Sequence, residues 1–216
     1  MEPRQIRSYV LRQGRITRAQ KRSLSEHWAS FGVEPQGECD PKTIYPQAGP
    51  LTVEIGFGMG DSLLAMAEAD AQRNFLGVEV HQPGIGHLLL KICEKRITNI
   101  RVMNMDASTV LQKHLPPGSV NRLQLFFPDP WPKKRHHKRR LINSEFRDLA
   151  ARVLESDGVI HLATDWADYA EQITEVFTTD KRFDVTQIPH REETKFEVQG
   201  RHCGHEVFDM AYRFVN

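Results

Sequence analysis

LTVEIGFGMGDSLLAMAEAD, residues 51–70, decides how this chain folds. An apolar run, LTVEI, stops at Gly56, Gly58 and Gly60. A helical pattern follows, with Leu63, Leu64 and Ala67 on one side. A short apolar run closed by glycines reads as a buried strand, and the 3.6-residue spacing after it as a helix. The alternation recurs downstream. NFLGVEV (74–80), IRVMNMD (100–106), RLQLFF (122–127) and GVIHLATD (158–165) read as strands. GIGHLLLKICEKR (84–96), ASTVLQKHL (107–115), INSEFRDLAARVLES (142–156) and WADYAEQITEVFTT (166–179) read as helices. RFDVTQIP (182–189) and EVFDMAYRFV (206–215) close the chain as two more strands. Strand–helix alternation predicts an α/β fold, a mostly parallel Rossmann-like sheet with helices on both faces. Residues 1–45 read as a basic extension, partly disordered, with a short helix around 18–31. The globular domain is expected over 46–216.

Open sheets of this kind gather ligands at the C-terminal edge of the strands, where strand order reverses. The residues just past each strand are therefore the candidates: Gly56, Gly58 and Gly60; Glu79; Asp106; Pro128-Asp129-Pro130-Trp131; and Thr164-Asp165-Trp166. The glycine spacing is G-x-G-x-G, and Asp61 stands where the dinucleotide fingerprint G-x-G-x-x-G has its third glycine, so that glycine falls one residue early. Glu54 and Asp61 bring negative charge to the turn, with no nearby Lys or Arg to offset it. That disfavours a pyrophosphate and favours a cationic cofactor. S-adenosyl-L-methionine, with its sulfonium and ammonium, suits it. Glu79 lies about 20 residues past the glycines, where a carboxylate meets ribose hydroxyls, and Asp106 suits an adenine amine.

The net charge of +1 conceals an asymmetry. Residues 1–25 carry a balance of +6, residues 133–140 another +6, which leaves −11 on the rest. Two basic blocks on an acidic body suggest a polyanion met at two places. No apolar run approaches the ~20 residues of a membrane span, and the N-terminal residues lack the apolar core of a secretory signal. Three dispersed cysteines fit a reducing, cytoplasmic setting rather than a disulfide framework. His202, Cys203 and His205 lack a further spaced ligand, so no metal is expected.

EIGFGMG, GVEVH, LFFPDPWPKKRHHKRR, ATDW and TKFE together resemble the bacterial tRNA (guanine-N7-)-methyltransferases. The most specific piece is FPDPW followed by K-x-R-H-x-K-R-R. The resemblance implies a class I S-adenosylmethionine-dependent methyltransferase fold of seven strands, one antiparallel. It implies cofactor contacts at Glu54, Glu79, Asp106 and Asp129, beside the glycines. Substrate contacts would be Lys133, Asp165, Thr194, Lys195, Phe196 and Glu197. RNA contacts would be Arg135, His136, His137, Lys138, Arg139 and Arg140. The product would be 7-methylguanosine, in the variable loop of tRNA. No obligate protein partner is evident, and monomer and homodimer both stay open. A non-catalytic RNA-binding protein on the same fold is the alternative, disfavoured by acids at four of the strand ends, since a binding module has no need of Glu79 and Asp106.

Guanine N7 presents a free lone pair and needs no base to become a nucleophile. The enzyme must supply positioning and an environment that tolerates a cationic purine. Asp129 is the expected catalytic residue, orienting guanine or balancing its charge rather than taking a proton. Asp165 and Glu197 are the other candidates for the guanine edge. Trp131, Trp166 and Phe196 are candidates for stacking on an extruded base.

Overall fold

The computed structural model describes Ser8, Tyr9, residues 14–192, Thr194, Glu197 and residues 206–215. Seven strands form one sheet: β1 (Leu51–Ile55), β2 (Asn74–Val78), β3 (Ile100–Met103), β4 (Val120–Phe126), β5 (Leu154–Thr164), β6 (Phe183–Val185) and β7 (Phe208–Phe214). Their order is β3-β2-β1-β4-β5-β7-β6. β7 is antiparallel to both its neighbours, and the other pairs are parallel. Strand order reverses between β1 and β4.

The strands β1 and β2 are buried along their whole length, as a sheet covered on both faces requires. Their period-2 alternation divides the core. Leu51, Val53, Ile55, Leu76 and Val78 join a cluster with Phe146, Tyr169 and Phe177, from helices α6 (Ser144–Val153) and α7 (Ala167–Thr178). The opposite face lies under α3 (Asp61–Ala69) and α4 (Gln82–Lys95), where Leu63, Leu88 and Ile92 pack on Phe75 and Val102.

The first helix, α1, runs Arg18–Phe31. A capping box starts it: Thr17 Oγ1 accepts from Gln20 N–H at 3.2 Å, and Gln20 Oε1 accepts from Thr17 N–H at 2.8 Å. Leu24, Trp28 and Phe31 pack against the α3–α4 core. Val33 N–H then donates to Val102 O at 2.8 Å, along the outer edge of β3. A four-residue helix α2 (Pro41–Ile44) leads to buried Tyr45, whose hydroxyl donates to Phe75 O.

Three elements depart from the sequence expectation. The strand expected over 182–189 runs only Phe183–Val185. The helix expected through Ser156 ends at Val153, because Leu154 pairs with Val120 and opens β5. A shift in pairing between Val120 and Arg122, with Asp157 at φ 63°, absorbs the extra residues. The helix expected over 107–115 is one α-turn, α5 (Ala107–Thr109), that widens into a π-turn over Val110–His114. Among the described residues no helix is long and apolar enough to cross a membrane.

Candidate active site

Register brings the site together. Glu54 pairs with Gln124 and Ile55 with Leu125, so the turn after β1 and the loop after β4 leave the sheet side by side. Ile55 also pairs with Val78, and Val78 with Met103, which sets Glu79 and Asp106 along the same edge. On the other side Phe126 pairs with Ala163, two residues before Asp165.

In the turn, Gly56, Gly58 and Gly60 take φ of 71°, 59° and 81°, a region costly to any residue with a β-carbon. Gly84 of α4 lets the turn approach. A β-carbon there would stand 1.9 Å from Gly58 O. In the sequence, a GIG at a helix start is the only signal for Gly84. Among the described residues, a β-carbon at Gly56 would meet only Leu125 Cδ1, at 3.9 Å. Glu79 anchors the turn: Oε2 accepts from Gly58 N–H at 2.9 Å, Oε1 from Val80 N–H at 2.7 Å and His81 N–H at 3.0 Å. Oε2 keeps capacity for a further donor. Asp106 caps α5 through Thr109 N–H at 3.2 Å.

Glu54 is 3% exposed and accepts from Gln124 Nε2 at 2.9 Å. Burial pushes its carboxyl up to about 7, and the charge of Glu79 adds to the rise. The Gln124 hydrogen bond and Arg191 pull the other way. A glutamate in an unfolded chain ionises near about 4.3. Between there and 7 the native state holds a proton that the unfolded chain has lost, so stability falls as pH rises through this window. Glu54→Gln removes that dependence. It is expected to stabilise the protein by about 1 kcal/mol at pH 5 and about 3 kcal/mol at pH 8. Denaturant melts at the two pH values check this, and an equal gain at both would refute it.

Asp129 is exposed, in a loop held on both flanks. Phe127 and Trp131 take positive φ, 51° and 45°. Aromatic residues are rarely found there, at a cost of about 1–3 kcal/mol each, so tertiary contacts must hold them. Phe127 N–H donates to Ala163 O at 2.8 Å. Trp131 Nε1 donates to Ser8 O at 3.0 Å, and the Arg139 guanidinium lies 3.7 Å over its ring. Arg140 Nε donates to Pro130 O at 2.8 Å.

The basic run divides. Lys133, Arg135 and Lys138 are exposed, while His136, His137 and Arg139 are half-buried. Residues Lys134–Arg139 form a 3₁₀ turn. Arg140 is 2% exposed, and its guanidinium faces inward to Pro130 O, Gln172 Oε1 and Asp168 Oδ2. Such a side chain offers no surface to a phosphate.

Asp165 is half-buried at the end of β5, and Trp166, 37% exposed, precedes α7. Thr194 Oγ1 accepts from Glu197 N–H at 3.1 Å. Glu197 is buried against Arg191, which lies outside every motif of the sequence given above. Lys195 and Phe196 lie outside the described residues, as do His202, Cys203 and His205.

A family model described as putative methyltransferase matches residues 48–210. The tRNA (guanine-N(7)-)-methyltransferase of Halorhodospira halophila is 46% identical over 222 residues, covering 98% of this chain and 96% of its own. The chain belongs to the tRNA (guanine-N(7)-)-methyltransferase family. The member from Nitrosococcus oceani is 47% identical over 217 residues, with 98% and 92% of the two chains covered. Among solved structures, the 16S rRNA methyltransferase KamB aligns with a TM-score of 0.62 at 14% identity, over 86% of this chain and 98% of its own. A phosphoethanolamine N-methyltransferase 2 of Haemonchus contortus, solved with S-adenosyl-L-methionine, aligns with a TM-score of 0.53 at 12% identity, over 82% and 51%. The family's fold is thus the class I methyltransferase sheet.

Proposed function

We propose that this chain transfers a methyl group from S-adenosyl-L-methionine to N7 of a guanine in tRNA, yielding 7-methylguanosine. One observation carries the reading. In a chain 46% identical to a named tRNA (guanine-N(7)-)-methyltransferase, an open glycine turn over a buried glutamate sits beside an exposed aspartate in a stapled loop. The residues fit the cofactor. Gly56 leaves room for close approach, and Glu54, Glu79 and Asp106 supply acceptors for its ammonium, ribose and adenine amine. When bound, it supplies a methyl group on a sulfonium, already activated for transfer.

The chain's own residues then have to position and stabilise. Asp129 holds the guanine edge, accepting from N1–H and the N2 amine, or balances the charge gained by the purine. It takes no proton, because N7 carries a free lone pair. Exposed Trp166 suits stacking on the extruded base. Lys133, Arg135 and Lys138 suit the flanking phosphates, which position without reading sequence. Work on tRNA fits the cytoplasm.

Incubating the purified protein with labelled S-adenosyl-L-methionine and bulk tRNA, followed by nucleoside analysis, tests the reading; absence of 7-methylguanosine overturns it. Exchanging Arg135 and Lys138 together for alanine is expected to weaken tRNA binding and flatten its salt dependence. Each lost phosphate contact should remove about 0.7–0.9 log unit of slope. Cofactor affinity should stay within twofold. Titrations at several salt concentrations check this, and an unchanged slope would remove these residues from the interface.

A further inference from the structure

We propose that Arg191 is a positioning residue that fastens the substrate-side residues Thr194 and Glu197 to the floor of the Asp129 loop. The proposal rests on the guanine-N7 methyltransferase reading and extends it to a residue outside the family resemblance described above. One guanidinium makes all the connections. Its Nε and Nη2 donate to the two oxygens of Asp209 on β7, at 2.8 and 2.7 Å. Its Nη1 donates to Glu197 Oε2 at 2.5 Å. Its Cζ lies 5.1 Å from the ring centre of Phe126 and 5.7 Å from that of Phe127. Phe127 is the positive-φ residue that opens the Asp129 loop.

The cluster is shielded and further braced. The side chains of Arg191 and Glu197 are 7% and 3% exposed. Asp209 also meets His161 Nε2 at 3.0 Å, so the anchor reaches into β5. Ser62, on the first turn of α3 beside the glycine turn, donates to Glu192 O at 3.4 Å. The segment around Arg191 thus crosses from β7 to the cofactor end.

The chemistry calls for arginine. A bidentate fork to Asp209 through Nε and Nη2 leaves Nη1 aimed at Glu197, an arrangement a lysine ammonium cannot reproduce in the same plane. Two carboxylates this close repel each other without the cation between them. With Arg191 in place, Glu197 is held near the loop that presents Asp129, and Thr194 follows through Glu197 N–H.

The test is a double-substitution cycle on the full chain: Arg191→Met, Glu197→Gln, both together, and Arg191→Lys. It reads kcat, KM for tRNA, cofactor Kd and thermal melting. Arg191→Met is expected to raise KM for tRNA about tenfold, with cofactor Kd within twofold. Adding Glu197→Gln should then change KM by less than twofold, because both act through one contact. Arg191→Lys should recover part of the loss; where the methionine variant does not fold, the lysine variant alone should raise KM three- to fivefold. The inference is overturned if the two effects multiply, if cofactor Kd rises in step with KM, or if melting falls while KM holds. An active wild type with any of those outcomes sinks the role of Arg191 alone. A wild type that makes no 7-methylguanosine sinks the underlying function, and this role with it.

Discussion

Asp129→Asn is expected to lower kcat by about 10²- to 10³-fold while cofactor Kd stays within threefold. The magnitude is that of losing one preorganised polar group facing the developing charge. Asparagine keeps the shape of the side chain but replaces one acceptor with a donor. That amide meets the N1–H and N2 amine of guanine, donor against donor. It also withdraws the negative charge that offsets a purine becoming cationic. The fold should not register the change. Asp129 is exposed, and its loop is held through Phe127, Pro130 and Trp131 rather than through its carboxylate. Surface changes of this kind stay within about 0.5 kcal/mol, so melting should move little. Single-turnover rates at saturating cofactor make the measurement. Near-normal turnover would show that Asp129 neither orients the base nor balances its charge.

The sheet was readable because each strand and helix carries its own local signal. LTVEI is buried on both faces and stops at glycines that need positive φ, and Asn143 caps α6 by accepting from Phe146 N–H. Strand ends then pointed to Glu79, Asp106, Asp129 and Asp165, since register in a parallel sheet sets such residues along one edge. What escaped was decided by contacts distant in sequence. In the sequence, Pro128 and Pro130 are the visible restraint on the Asp129 loop, since each fixes its own φ. The structure adds two aromatic residues in left-handed backbone, held by Ala163, Ser8 and Arg139. No local pattern announces such a pair. Arg191 stood in a stretch with no periodicity, and its partner Asp209 is 18 residues away. In KKRHHKRR, six cations look interchangeable, and only burial separates the last from the rest.

That separation makes Arg140→Ala the sharpest test of the loop. The guanidinium, 1% exposed, donates to Pro130 O and Gln172 Oε1 at 2.8 Å each and to Asp168 Oδ2 at 2.5 Å. It also lies 4.8 Å over the Tyr169 ring. Alanine leaves a cavity under the loop and three acceptors without their donor. Removing one partner of a buried pair costs about 3–5 kcal/mol. Asp168 is 59% exposed and regains water, which puts this loss near the lower end, about 3 kcal/mol. For a chain of this size that lowers melting by roughly 6–12 °C. Activity should fall further than stability explains at a permissive temperature. Pro130 O loses its tether, Trp131 is no longer held at positive φ from that side, and Asp129 shifts. A displacement of about 1 Å costs on the order of 10²-fold in rate. Arg140→Lys keeps the charge but not the fork, and should recover less than half of the stability. The salt slope of tRNA binding decides between the two roles an arginine at this position can have. A residue that holds the loop from inside leaves the slope unchanged, whereas a phosphate contact takes about 0.7–0.9 log unit with it. A flattened slope with unchanged melting would return Arg140 to the RNA surface and leave the loop without its main anchor.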